Sequence, residues 1–342
     1  MNLIRKGELA EKILITDGLP GCGKTMLSPI LSSLDRVEMY YFAFEIEFIS
    51  RLFYFKEIKK QSAVTLIRML TDYKLYNSMM GREINLRHLD LSSVTRHHNY
   101  KMYLNRLRSP GDDLIPKIIK KKNPILHLTT HDLLNYSEIV VKALKPRLTY
   151  VELTRHPIDM VNQQIYIMKN HFNNPRSIQI EFEYKKKPLP YWSHKWKKKF
   201  LKLNNVDRAI LNIYYMYKEN INKRSKLIKL LDKNCISVQF ENFSINPLPV
   251  LNQISKSLKS KITKSTLKEM KNQKIPRNHF FKTPQTQIYQ KVGGSLPNVQ
   301  NREIDILRKI KIFKKKGASK KYLDLLENIS LNYEKKFISK IL

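Results

Sequence analysis

Residues 12–25 read KILITDGLPGCGKT. Residues 13–15, ILI, form an apolar run that predicts a buried strand, and the glycines that follow tolerate the backbone angles of a tight turn. Gly18, Gly23, Lys24 and Thr25 fit the pattern G-x-x-x-x-G-K-[S/T]. In this pattern, backbone N–H groups and the positive end of the next helix hold a phosphate. The stretch therefore predicts an anion-binding loop between a strand and a helix.

Short apolar runs alternate with helical periodicities along the chain, which is typical of a parallel sheet covered by helices. The predicted strands are KILIT (12–16), VEMYYF (37–42), ILHLT (125–129), TYVEL (149–153) and CISVQF (235–240). Helices are predicted at 24–33, 45–58, 62–80, 97–108, 112–121, 132–143, 157–169, 201–230, 247–259, 262–271, 300–316 and 318–339. We expect one P-loop α/β domain over residues 1–342. It would be a three-layer sandwich with helices on both faces of a mainly parallel sheet, with its core at about 10–260 and a C-terminal loop and helices at 261–342.

The charge of the chain is strongly unbalanced. It has 64 Lys and Arg against 29 Asp and Glu, a formal net charge of +35. Such a charge suits an enzyme for anionic substrates or a protein that binds polyanions. The basic residues are spread along the whole chain, so a compositional bias without function accounts for them equally well.

The cysteines and the apolar stretches bear on the compartment. Cys22 and Cys235 lie far apart in the sequence and form no disulfide framework or metal set. The N-terminal residues 1–12 are too polar for a signal peptide, and the most apolar stretch, 39–55, contains charged residues that a membrane span rarely tolerates. The sequence therefore predicts a soluble cytoplasmic protein without a membrane span.

A nucleoside triphosphatase or kinase also needs an acid for Mg²⁺, normally at the end of a second apolar strand. No predicted strand ends in two apolar residues and Asp. Glu152 lies in mid-strand and Glu241 follows a strand, so neither is a convincing metal ligand, although Thr25 suits Mg²⁺. The sequence thus counts against ordinary nucleotide hydrolysis.

A candidate catalytic residue lies in HLTTHDLL (127–134), where a predicted strand ends at Thr130 and His131. Ligands of such sheets bind at this end of the strands, and a histidine there can take a proton from a hydroxyl at neutral pH. The alternative is a capping or packing histidine. His127 and His131 do not converge on a metal, because they lie on a strand.

Two further strand ends carry polar residues. In YVELTRHPIDMVNQQ (150–164), Arg155 leaves a strand and is suited to a bidentate grip on a phosphate. The alternative is an ion pair between Arg155 and Asp159. In VQFENFSINPLPVLNQI (238–254), the simpler interpretation of Glu241 is that it caps or braces the turn.

Together these stretches resemble the sulfotransferase family, which uses 3′-phosphoadenosine 5′-phosphosulfate and has a nucleotide-kinase-like fold. LPGCGKT (19–25) is similar to the family's Pro-Lys-Ser-Gly-Thr-Thr loop, and TTH (129–131) to its Lys-Thr-His strand end. RHPIDMVNQ (155–163) is similar to its Arg-Asn-Pro-x-Asp-x-x-x-Ser segment, and FENFSINPLPVLNQI (240–254) to its Tyr-Glu-Asp-Leu-x-x-x-Pro turn and helix. The motifs occur in the family's order and cover about 12–260.

The resemblance implies a metal-independent transfer of a sulfuryl group to a hydroxyl or amine of a glycan or small molecule. His131 would be the catalytic base, and Lys24 would stabilise the charge that develops on the bridging oxygen. Arg155 and Gln163 would hold the 3′-phosphate of the nucleotide. The 5′-phosphosulfate would lie on the loop residues Pro20, Gly21, Cys22, Gly23, Lys24 and Thr25.

The chain departs from the family pattern at several positions. The family's loop lysine falls at Gly21, whereas Lys24 occupies the position usual in triphosphate-binding loops. Gln163 and Thr129 stand where the family has Ser and Lys. An Arg-Lys-Gly stretch is absent, and the basic loops available are KIPRNHFFK (274–282) and QKVGG (290–294). A P-loop kinase that uses ATP with Mg²⁺ is therefore the alternative, followed by a non-catalytic nucleotide- or polyanion-binding protein.

One basic segment, EYKKKPLPYWSHKWKKKFLK (183–202), holds Trp192 and Trp196 among eight lysines. This interleaving suits an acidic glycan or a nucleic-acid strand as a partner. The alternative is an amphipathic helix that buries its tryptophans. Because the chain has no clear nucleic-acid module, an acidic glycan is the favoured partner of the two.

Overall fold

A computed structural model of the chain describes residues 3–109, 111–170, 174–175, 177–281 and 301–338. Its strands are β1 (Lys12–Asp17), β2 (Tyr41–Phe42), β3 (Ile125–Thr129), β4 (Leu148–Thr154), β5 (Glu181–Tyr184), β6 (Lys187–Pro190) and β7 (Cys235–Gln239). Its α-helices are α1 (Lys24–Ser32), α2 (Phe44–Tyr54), α3 (Lys60–Met80), α4 (Tyr100–Arg106), α5 (Ile115–Lys122), α6 (Glu138–Leu144), α7 (Pro157–Asn170), α8 (Lys197–Phe200), α9 (Asn205–Leu231), α10 (Phe240–Ile245), α11 (Pro247–Leu258), α12 (Lys264–Asn272), α13 (Arg302–Lys315) and α14 (Lys320–Tyr333). Short 3₁₀ turns include Leu134–Tyr136 and Tyr191–Trp196.

The central sheet has the strand order β2-β3-β1-β4-β7, and every neighbouring pair is parallel. β1 lies in the middle, between β3 and β4. Thr16 pairs with Thr129, and Asp17 pairs with Glu152, so the carboxyl ends of these three strands lie side by side. Residues that follow them meet at one edge of the sheet.

Alternate residues of β1 enter different apolar cores. Leu14 belongs to a core with α1, α7 and α11, whereas Ile13 and Ile15 belong to a core with α2, α3 and α6. This alternation follows from the two-residue period of a strand and requires helices on both faces. The predicted α/β sandwich with a mainly parallel sheet is confirmed.

The second strand is shorter than the predicted 37–42. Tyr41 and Phe42 pair with β3, and Val37 makes one isolated parallel bridge to Ile125 of β3. The backbone between them is bonded elsewhere. The Met39 N–H donates to the Tyr103 hydroxyl at 2.7 Å, and the Tyr40 N–H donates to Ser32 Oγ at 3.1 Å. The chain therefore leaves the sheet to bury these side chains in a small separate cluster.

The basic aromatic segment forms an antiparallel hairpin and a 3₁₀ turn before the short helix α8. Two prolines in β6 exclude a helix there, since proline lacks the backbone donor. Trp196 is 3% exposed and stacks on Tyr215, with ring centroids 5.8 Å apart, while Trp192 is half-buried. Trp196 is thus a core residue, and Trp192 packs against the same core. The burial that the alternative interpretation expected is confirmed, but the amphipathic helix that it expected is not present at 183–196. Within the described part of the chain, no helix combines the length and the apolarity that crossing a bilayer requires.

Candidate active site

The glycine-rich loop connects β1 to α1, and two of its glycines are needed for its shape. Gly21 and Gly23 have φ angles of 97° and 106°, in the region that favours glycine. A Cβ at Gly23 would lie 2.4 Å from the ring of Phe240, and a Cβ at Gly21 would lie 3.2 Å from Gln163 Cβ. The loop therefore packs closely on the first turn of α7 and on the residue that follows β7.

Lys24 begins α1, and its side chain points back into the loop. It is only 6% exposed, and Nζ donates to the carbonyl oxygens of Gly18 and, at 3.3 Å, Leu19. Cys22 Sγ lies 3.9 Å from the same ammonium, and burial raises the pKa of this thiol. Thr25 is exposed at the start of the helix. The ammonium thus lies inside the loop, where the carbonyl oxygens of the loop hold it.

A glutamine of α7 supports the loop, and it is not the one that the sequence motif indicated. Gln164 Nε2 donates to the Pro20 carbonyl at 3.0 Å, and its Oε1 accepts from Asn212 of α9. Gln163 is half-buried beside Gly21. Gln164 faces the loop because it lies one turn further along the helix face that begins at Met160, which also contacts Gly21.

Arg155 follows β4 and points at the loop. It is 5% exposed, and Nη1 donates to the Gly21 carbonyl at 3.1 Å. Its guanidinium lies over the ring of Phe240, 4.1 Å from the centroid. Arg277 lies over the same ring at 5.6 Å, and its Nη2 is 3.4 Å from Met26 Sδ of α1. Two guanidinium groups therefore lie beside the glycine loop, although the sequence motif contained only Arg155.

Asp159 has other partners than the alternative interpretation of Arg155 expected. Its carboxylate accepts two hydrogen bonds from Arg302 at 3.1 Å and one from Lys309 at 2.5 Å. Burial raises the pKa of Asp159, but Arg302 and Lys309 outweigh it, so this pKa lies well below its usual range. Asp159 thus anchors α13 to α7.

The basic loops proposed as replacements for an Arg-Lys-Gly stretch are only partly described. Arg277 belongs to the first of them, and residue 282 lies outside the described residues. The second loop, 290–294, lies wholly outside the described residues.

His131 follows β3, on the strand next to β1. Its imidazole is 29% exposed and lies nearly parallel to the rings of Phe42 and Phe44, with centroids 5.7 and 5.6 Å away. Its Nδ1 is 3.2 Å from Glu47 Oε1, which also accepts the His131 backbone N–H at 2.7 Å. Arg51 Nη2 donates to Glu47 Oε2 at 2.7 Å and to the His131 carbonyl at 2.9 Å. No residue that the structure describes hydrogen-bonds Nε2 of His131.

Asp17, at the end of β1, holds the segment that carries His131. The carboxylate accepts from the Thr130 hydroxyl and from the backbone N–H groups of Leu133 and Leu134, at 2.9 to 3.0 Å. The Tyr150 hydroxyl donates to it at 2.6 Å. Asp17 directly precedes Gly18, at the end of an apolar strand. An acid at that position is the sequence signal that could have indicated its supporting role.

The acids considered for a metal are engaged in structural contacts. Glu152 accepts two bonds from Arg224 at 2.5 and 2.7 Å. Glu241 accepts the His156 backbone N–H at 2.9 Å and the Tyr333 hydroxyl at 2.7 Å, so it braces the turn as the simpler interpretation expected. Among the described residues, no group of three or more His, Cys, Asp or Glu side chains is placed to hold a metal ion.

These contacts bring most of the predicted residues to one edge of the sheet. Arg155 and Gln163 lie against the glycine loop, and His131 lies at the end of the adjacent strand. Glu47, Arg51, Gln164 and Arg277 complete the arrangement and were not singled out by sequence. Chemically, the edge combines two guanidiniums, an ammonium and glycine-loop amides with a histidine held by a carboxylate.

The solved structures to which this chain is similar are sulfotransferases, the family that the sequence motifs resemble. Protein-family models and the sequences of curated proteins give no match to this chain. Among solved structures, the chain is similar to sulfotransferase STF9 from Mycobacterium avium, with 12% identity and a TM-score of 0.40 over 83% of this chain and 75% of that one. It is also similar to a sulfotransferase domain from the curacin biosynthetic pathway, with 12% identity and a TM-score of 0.40 over 84% and 99%. Mouse sulfotransferase SULT7A1 complexed with PAP gives 12% identity and a TM-score of 0.36 over 93% and 89%. At such identities and scores, function has to be argued from the residues of the site.

Proposed function

We propose that this protein is a sulfotransferase-like enzyme that moves a sulfuryl group from 3′-phosphoadenosine 5′-phosphosulfate to a hydroxyl or amine acceptor. The observation that carries the proposal is the contact of Arg155 with the Gly21 carbonyl, at 3.1 Å, beside the strand end that presents His131. In this proposal the glycine loop binds one anion, Arg155 binds a second, and His131 at the same sheet edge is the base. A nucleotide with phosphates at both its 3′ and 5′ positions needs two such anion sites.

The residues of the site suit the nucleotide. Gly21 and Gly23 allow the positive φ angles of the loop and its close packing on Gln163 and Phe240, and α1 begins directly behind them. Lys24 exchanges the loop carbonyls for ligand oxygens, which charge–charge attraction favours. Arg155 and Arg277 supply two forked donors for the 3′-phosphate, with Gln163 at their side.

The chain's residues divide the chemistry of transfer between them. The bound donor supplies the sulfuryl group. Nε2 of His131 accepts the proton that the acceptor hydroxyl or amine loses as it attacks. Lys24 and the loop amides offset the negative charge that develops on the departing phosphate oxygen. The acceptor we propose is a glycan or a small molecule, and the protein acts in the cytoplasm as one domain.

Thermal unfolding with two nucleotides tests the proposal. With 3′,5′-bisphosphoadenosine and no metal, we expect a rise in Tm, equivalent to about 2.7 kcal/mol at a ligand concentration 100 times Kd. ATP with Mg²⁺ should give a smaller rise. If only ATP with Mg²⁺ raised Tm, the P-loop kinase would replace the proposed function. If neither ligand raised Tm and the protein bound RNA or heparin in a salt-sensitive way, a non-catalytic polyanion-binding protein would replace it.

Arginine variants identify the site in the same assay. Arg155→Ala should abolish the rise in Tm caused by the bisphosphate, and Arg155→Lys should restore only part of it, because lysine lacks the fork. Arg208→Ala is the matched control. The Arg208 guanidinium also lies over a phenylalanine ring, 4.5 Å from the centroid of Phe200. Arg208 is nine residues before Tyr217 on α9, and it is Tyr217 that contacts Arg155. An equal loss in the control would refute the assignment of Arg155.

A further inference from the structure

Two charged residues of α2 hydrogen-bond to His131, the residue that we propose as the base. Glu47 and Arg51 lie one turn apart on this helix, and both are nearly fully buried, with 2% and 3% exposure. Burying an ion pair costs desolvation free energy that the attraction between the charges often fails to repay. The pair therefore needs a reason other than stability.

The contacts of the pair converge on His131. One carboxylate oxygen of Glu47 accepts both the backbone N–H and Nδ1 of His131, and the other accepts from Arg51. The same Arg51 nitrogen donates to the His131 carbonyl at 2.9 Å. The Glu47–Arg51 pair thus contacts the backbone N–H, the backbone carbonyl and the ring of His131. The Arg51 guanidinium also lies over the ring of Tyr191, 4.0 Å from the centroid.

We infer that Glu47 and Arg51 are positioning residues for His131, with Glu47 selecting the ring tautomer that leaves Nε2 as the proton acceptor. A carboxylate has only acceptor oxygens, so Nδ1 beside it must carry a hydrogen. The lone pair of the neutral ring then lies on Nε2. When Nε2 takes the acceptor's proton, the resulting imidazolium lies against the carboxylate, which stabilises its positive charge. Arg51 holds the Glu47 carboxylate in place through its hydrogen bond to Oε2.

The expected effect of Glu47 on turnover rests on the proposed function, but its effect on the tautomer of His131 does not. The tautomer of His131 is measurable without any substrate, from the ¹⁵N shifts of the two ring nitrogens in the folded protein. We expect Nδ1–H in the wild-type protein and a mixture or Nε2–H in Glu47→Leu, because the leucine side chain has no oxygen to accept a hydrogen bond from Nδ1. Nδ1–H persisting in Glu47→Leu would overturn the inference.

Turnover adds a test that separates positioning from stability. Glu47→Gln should lower kcat by about 10²-fold or more with KM for the nucleotide unchanged. It should also lower Tm, because Arg51 is left as an unpaired buried charge. Glu47→Gln with Arg51→Met removes that charge, so Tm should recover while kcat stays low. Recovery of wild-type kcat in the double variant would show that the pair is only structural.

A matched control comes from a second buried pair. Glu38 and Arg106 are joined by two hydrogen bonds, at 2.7 and 2.8 Å, away from the glycine loop and His131. Glu38→Gln with Arg106→Met should leave kcat within about threefold of wild type. An equal fall in kcat would overturn the inference. If the wild-type protein turned over no phosphosulfate at all, the proposed function would fail, and the tautomer measurement would still decide the role of Glu47.

Discussion

His127 and His131 lie four residues apart on the same segment, yet their surroundings differ in nearly every respect. His127 is fully buried within β3, and its two ring nitrogens contact Thr16 Oγ1 at 2.8 Å and Ser32 Oγ at 2.9 Å. His131 lies just past the strand end, 29% exposed, with only Nδ1 engaged, by Glu47. Burial lowers the pKa of His127 to about 3. The first histidine is thus neutral and occupied, and the second has a nitrogen available.

The difference explains why our proposal assigns the role of the base to His131 and not to His127. Both rings are held firmly, so rigidity does not distinguish them. What distinguishes them is whether a nitrogen is left over once the ring has been fixed. Hydroxyl groups engage both ring nitrogens of His127. The Glu47 carboxylate contacts Nδ1 of His131, and Nε2 has no hydrogen-bond partner among the described residues.

The largest expected effect concerns turnover of the two histidine variants. His131→Ala should lower kcat by about 10²- to 10⁴-fold, the usual contribution of a general base, while leaving the bisphosphate-induced rise in Tm intact. His127→Gln should leave kcat within about fivefold of wild type, since position 127 contacts only core residues. Full turnover in His131→Ala would show that another group is the base. An equal loss in His127→Gln would erase the distinction between the two positions.

The sequence predicted four of the five central strands well, because their apolar runs are local signals. It predicted a longer β2 than the structure has and did not predict the hairpin of β5 and β6. The predicted 125–129 coincides with β3, and the predicted 12–16 falls within β1. The same pattern placed Thr130 and His131 at a strand end. Every central pairing is parallel, as the alternation of strands and helices indicated.

The support of the site was not predictable by the same reasoning, because it depends on contacts between distant residues. Glu47 and Arg51 are 84 and 80 residues before His131, and periodicity places them on a helix without giving their partner. The only local signal was an acid and a base one turn apart in an otherwise apolar helix. Likewise, the preference for Gln164 over Gln163 depends on how α7 is rotated against the loop.

A smaller effect concerns how the free energy of unfolding depends on pH, and it tests His127 alone. Because its pKa in the folded state, about 3, lies below the unfolded value near 6.5, the unfolded chain binds the extra proton over this range. The contribution of His127 is complete above pH 6.5 and is lost as the pH falls towards 3, by about 1.4 kcal/mol of unfolding free energy per pH unit. His127→Gln should flatten the pH dependence between pH 6 and 4.5 by about this amount, measured by urea unfolding. Equal slopes would show that the folded protein accepts a proton at His127.

The smallest expected effect concerns the rings stacked beside His131. Phe44 is 41% exposed, so Phe44→Leu should lower the unfolding free energy by only about 0.5–1.5 kcal/mol. Because Glu47 selects the tautomer and Phe44 contributes only packing, kcat should fall by less than about tenfold. Phe48→Leu is the control, since its ring contacts Phe44 at 6.4 Å between centroids and has no ring contact with His131. If kcat of Phe44→Leu fell as much as that of His131→Ala, ring packing would position the histidine. Glu47 would then serve only as the ion-pair partner of Arg51.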